Sequence, residues 1–142
     1  MSTITTTVPA ATGLNAAANG RKILVAVDDL FFAAKIQETA RKLGVNIEFA
    51  KTAADILAKA EALPALIIFD LNSVAAKPIN TIQRLRQNPA LKKVSLIGFV
   101  SHVQAELKLQ AQQAGCDLVM PRSAFSQSLP NLLRRHGLPE PE

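Results

Sequence analysis

Three carboxylates carry most of the chemistry that this sequence offers. Asp28 and Asp29 follow the apolar run Ile23-Leu24-Val25-Ala26-Val27, and Asp70 follows the run Ala65-Leu66-Ile67-Ile68-Phe69. Short, uninterrupted apolar runs of this kind predict buried strands. If the two strands lie side by side and parallel, the three acids meet at the carboxyl edge of one sheet. Like charges gathered there raise a carboxylate pKa or attract a divalent cation. Each acid also has a plainer reading as a cap of a loop or helix start, and Asp29 fits the N-cap of the helix that follows it.

The elements that must position these acids alternate from Lys22 onward. Strand one is predicted over Lys22 to Asp28. A helix follows over Leu30 to Leu43, with Phe32, Ile36, Ala40 and Leu43 at helical spacing and Gly44 as its stop. Strand two covers Val45 to Ala50, and Thr52 with Asp55 resembles a capping box for a helix over Ala53 to Ala62. Strand three covers Ala65 to Asp70. A polar turn leads to Pro78, suited to the first turn of a third helix that ends before Asn88-Pro89. Strand four is Val94 to Val100, helix four Val103 to Ala114, and strand five Asp117 to Met120. A last helix lies within Ser126 to His136, where Pro130 is tolerable only near its start. Five strands alternating with five helices predict a parallel sheet covered on both faces. Right-handed crossovers and one reversal of winding give the order 2-1-3-4-5, a single doubly wound, flavodoxin-like α/β domain over residues 21–137. Strands one and three are then neighbours at the switch point, with Asp28, Asp29 and Asp70 in the crevice where ligands bind.

Composition removes several function classes. The chain has 142 residues, 49% of them apolar, enough for one domain with a real core. No apolar stretch approaches the roughly 20 residues of a membrane span, so no membrane partner is expected. Residues 1–20 carry no charged side chain and lack the basic start of a signal peptide; they read as a flexible tail, and 138–142 as a second, short one. The single cysteine, Cys116, excludes an intrachain disulfide and fits a small buried hydrophobe in a reducing cytoplasm. The net charge of +5 is scattered, and with neither Trp nor Tyr to stack on bases no nucleic-acid partner is expected. No Gly-x-Gly-x-x-Gly follows strand one, which argues against a Rossmann nucleotide site. Ser101-His102 with Asp70 lacks the Gly-x-Ser-x-Gly elbow of a hydrolase.

From about Lys22 to His136 the sequence resembles the receiver domain of two-component response regulators. The acidic pair Asp28-Asp29, the lone Asp70 after Leu-Ile-Ile-Phe, and the segment Gly115 to Arg122 carry the resemblance. It implies that Asp70 is a phosphoacceptor, served by a histidine kinase or a phosphotransfer protein, and that the domain is a signalling module rather than an enzyme. It also implies a Mg2+ ion held by Asp70, by Asp28 or Asp29, and by the backbone carbonyl of Asn72. A carboxylate facing a phosphoryl group is repelled unless such a cation cancels charge.

The departures from the family are as specific. Its switch hydroxyl falls on Val100, which has none, and strand alternation would send the next residue, Ser101, to the other face unless the strand ends early. Arg122 stands in place of the family's Lys, and Ser123 in place of its cis-Pro, so a trans bond and a re-aimed loop are expected. Val119 stands where a switching Tyr or Phe is usual. The turn after Asp70 lacks the family's Pro and Asp-Gly. The expectation is a stand-alone, atypical receiver that signals through the face of helix four, strand five and helix five, with a homodimer also open. The alternative is a pseudo-receiver, a scaffold that no longer handles phosphate.

Overall fold

The computed structural model describes residues 22–138. The tail expected over 1–20 and residues 139–142 lie outside them. The elements run β1 (Ile23–Ala26), α1 (Leu30–Leu43), β2 (Ile47–Phe49), α2 (Ala53–Ala60), β3 (Leu66–Asp70), α3 (Pro78–Gln87), β4 (Ser95–Val100), α4 (Ala105–Ala114), β5 (Leu118–Pro121) and α5 (Arg122–Gly137), with a 3-10 turn at Pro89–Leu91. The strands form one sheet in the order β2-β1-β3-β4-β5, and every neighbouring pair is parallel. This is the doubly wound order that the alternation predicts.

The central strands β1, β3 and β4 are mostly apolar and buried because helices cover both faces, while the edge strands β2 and β5 are partly exposed. On one face Leu24, Ala26, Ile67 and Phe69 pack with Ile56 and Ile82 of α2 and α3. On the other, Val25, Ile68 and Phe99 pack with Ile36 of α1 and with Phe125, Leu129 and Leu133 of α5. Cys116 is a buried member of the first cluster, and burial pushes its thiol up to about 11, which leaves it inert.

Local sequence sets most boundaries. Asp29 caps α1, its Oδ1 accepting from the backbone N–H of Phe31 at 2.9 Å and of Phe32 at 3.1 Å. Gly44 ends α1 in the left-handed region, at φ 72°. Thr52 Oγ1 accepts from Asp55 N at 3.1 Å, and Pro78 opens α3.

The last helix departs from expectation. It begins at Arg122 rather than within Ser126 to His136, and Pro130 sits well inside it. Interior proline costs a helix about 3 kcal/mol. Against this, Phe125, Leu129, Leu132 and Leu133 are all buried along one face, at about 1.5–3 kcal/mol for each large apolar side chain removed from water. Burial wins. The end differs too, since Leu138, expected in a tail, packs against the core.

Candidate functional site

Asp70 is the last residue of β3, and it is 6% exposed. The β1–β3 register pairs Ala26 with Phe69, so the acids that follow both strands emerge at the same rim of the sheet. Desolvation is the largest influence on Asp70 and raises its pKa. A hydrogen bond from Asn72 N to Oδ1, at 2.9 Å, pulls it down, as does the Arg122 charge, while the charges of Asp28 and Asp29 raise it. The three carboxylates therefore share one electrostatic site.

They do not share it equally. Asp28 Oδ2 accepts from Ser73 Oγ at 2.8 Å. Asp29 is turned aside: Oδ1 caps α1 and Oδ2 accepts from Arg122 Nη1 at 3.2 Å. Its pKa is lowered, chiefly by the Phe32 N–H, with Arg122 adding to it. Among the described residues no group of three or more His, Cys, Asp or Glu side chains is placed to hold one metal ion. Two carboxylates, Asp28 and Asp70, remain for that purpose. These are hard oxygen donors, and Mg2+ uses one or two carboxylates and keeps several waters. The donor chemistry fits.

Arg122 opens α5 directly from Pro121, and no peptide bond among the described residues is cis, as the absence of a following proline predicts. Its side chain faces the acids, with Nη1 donating to Asp29. Its guanidinium lies 4.7 Å from the Phe32 ring centroid and 5.6 Å from that of Phe99. Those rings pack 5.1 Å apart, and Phe99 stacks on Phe125 at 4.8 Å. A planar cation suits this aromatic floor better than an ammonium would.

β4 ends at Val100, so Ser101 escapes the alternation of the strand. Its backbone N and its Oγ both donate to Asn72 Oδ1, at 2.9 and 3.0 Å. Val100 is buried. With Val119 it lines an apolar cavity of about 220 Å³ beneath α4, which Gln104 and Lys108 also border. His102 lies on the rim of a wider crevice with Ser101, Arg122 and Ser123.

Sequence reasoning missed three contributors. These are the Asn72 side chain, the Ser73 hydroxyl and the Phe32–Phe99 floor. Ser73 carried a signal: a hydroxyl three residues beyond a strand-end acid, in a turn without Pro or Gly, often closes that turn. Here Ser73 Oγ also accepts from Ala76 N at 3.2 Å.

No family model matches the sequence, and no curated protein does either. Solved structures do match. The response regulator from Hahella chejuensis is 20% identical with a TM-score of 0.72, over 80% of this chain and 92% of that one. The chemotaxis response regulator CheY4 of Vibrio cholerae is 21% identical with a TM-score of 0.71, over 81% and 97%. The Mn(2+)-bound form of response regulator Rcp1 is 15% identical with a TM-score of 0.69, over 84% and 99%. At these identities the likeness establishes the fold, and the chain has the fold of response-regulator receivers.

Proposed function

We propose that this chain is an atypical receiver in a response-regulator phosphorelay, with Asp70 as the phosphoacceptor. The observation that carries the proposal is the environment of Asp70: a nearly buried carboxylate at the end of β3, under the charges of Asp28, Asp29 and Arg122. Perturbed acids in a crevice at the switch point of an α/β sheet mark functional sites. The donor is a phosphohistidine of a kinase or phosphotransfer protein, or a small acyl phosphate. Asp70 Oδ attacks phosphorus, the donor's P–N or P–O bond breaks, and the leaving group departs with the electron pair of that bond. Asp28, Asp70 and the Asn72 carbonyl would hold Mg2+, which supplies charge neutralisation for the transferring group. Arg122 places a fixed cation at the rim, oriented by Phe32 and Phe99. The output surface is the face of α4, β5 and α5, where the apolar cavity opens.

One observation favours the second reading, a phosphate-independent scaffold. Asp29 is consumed by the α1 cap and by Arg122, which leaves only two acids for a metal. The two readings separate in one experiment. Purified protein is incubated with Mg2+ and acetyl phosphate, or with Mg2+ and beryllofluoride, and the adduct is read by intact mass or by ¹⁹F NMR. The phosphoacceptor reading expects an adduct in wild type and complete loss in Asp70→Asn. No adduct in wild type, with metal in excess, removes it in favour of the scaffold.

A further inference from the structure

We propose that the Asn72 side chain couples Asp70 to the β4–α4 loop, replacing a switch hydroxyl that Val100 cannot provide; this rests on Asp70 being the phosphoacceptor. The bonds form a continuous relay. Asn72 N donates to Asp70 Oδ1, and Asn72 Oδ1 receives both the backbone N–H and the hydroxyl of Ser101. A single carboxamide oxygen therefore pins the loop that follows β4 to the turn that follows the acid. Asn72 and Ser101 are both exposed, so water competes for these bonds and they can be exchanged.

An occupied Asp70 changes that competition. A phosphoryl group adds nearly two negative charges and three strong acceptor oxygens. Hydrogen bonds to a charged acceptor are about twice as strong as those to a neutral one. The two donors of Ser101 then leave the Asn72 carboxamide for the phosphoryl oxygens, and the loop over 101–104 moves with them. That loop reaches the output face. Val103 and Gln104 line the apolar cavity beneath α4 together with Val100 and Val119. The start of α4 offers little resistance, because its N-cap, Gln104, makes no capping hydrogen bond through its side chain. Val103 is 84% exposed, so little packing holds the loop in place.

The test uses ¹⁵N NMR of the full chain with Mg2+ and beryllofluoride, while ¹⁹F NMR scores the adduct independently. Wild type is expected to form the adduct and to shift the amides of Ser101, His102 and Val103. Read only on the fraction that ¹⁹F NMR scores as carrying the adduct, Asn72→Ala is expected to shift those amides at least twofold less, from a starting position already released. Asn72→Asp keeps an acceptor with a full charge, so it retains Ser101 and also blunts the shift. Ser101→Thr keeps both donors and is expected to respond as wild type does. An adduct that leaves the Ser101 amide unmoved, or a full response in Asn72→Ala, overturns the coupling and leaves the phosphoacceptor reading intact. Absence of any adduct in wild type overturns both.

Discussion

The β1/β3 half of the sheet's carboxyl edge and its β4/β5 half have diverged in kind. On the first, Asp28 and Asp70 remain where two adjacent strands end, and only Asp29 has been diverted. On the second, Val100 and Val119 are apolar and Arg122 stands at the start of a helix, where the resemblance to receivers implies a hydroxyl, an aromatic and a lysine. The first half needs only charge, and charge acts at a distance: Asp28, Asp29 and Arg122 all influence Asp70 without a direct bond to it. The second half needs a particular atom in contact, and a one-residue displacement removes it. A site that works by charge at a distance therefore tolerates substitutions that a site working by contact does not.

The largest expected break is in the floor that the halves share. Phe99 is fully buried between Phe32 and Phe125 and lies beneath Arg122. Phe99→Ala is expected to cost about 3–5 kcal/mol in urea unfolding, and to release the guanidinium from Asp29. Stability loss with the Arg122 resonances unchanged would show that the floor does not orient the cation.

Restoring the lost hydroxyl sharpens the comparison. Val100→Thr buries an oxygen beside an apolar cavity and is expected to cost about 1–3 kcal/mol without the adduct. With beryllofluoride bound, the new hydroxyl has an acceptor, so stabilisation by the ligand should exceed that in wild type in paired thermal melts. Equal stabilisation of the two proteins would mean that position 100 no longer faces the site.

The smallest effect isolates charge alone. The folded-state pKa of Asp70 is raised, so ionising it opposes folding at neutral pH. Asp70→Asn is therefore expected to stabilise the fold at neutral pH by about 0.5–2 kcal/mol, the range common to single stabilising substitutions. The advantage belongs to pH above the folded pKa of Asp70. It fades as pH falls through that value, where the wild-type carboxyl is protonated and equally neutral. A gain that persists unchanged in acid would assign it to shape instead of charge.

Much of this was legible beforehand because the signals are local. The central strands are largely apolar runs, α1 has its Asp29 and Gly44 caps, and α3 starts at its proline, so periodicity and caps suffice there. The start of α5 was not legible. Arg122 to Phe125 has no capping side chain, and Pro130 argues against a helix until the burial of Phe125 and Leu129 is known. The role of Asn72 was hidden for a different reason. Its partner is 29 positions away, and nothing in either residue's neighbourhood announces the pair.

The amino-acid order by itself determined the parallel sheet, the strand order and the gathering of acids at one rim, because strand period, crossover handedness and residue type are properties of short segments. Only tertiary structure decided how those acids are spent, with Asp29 given to a helix and an arginine, and Asp70 kept nearly dry beside Asn72. Such choices depend on which groups from distant segments come within hydrogen-bond reach and on how much water is excluded around them, and neither is encoded in any one stretch of chain.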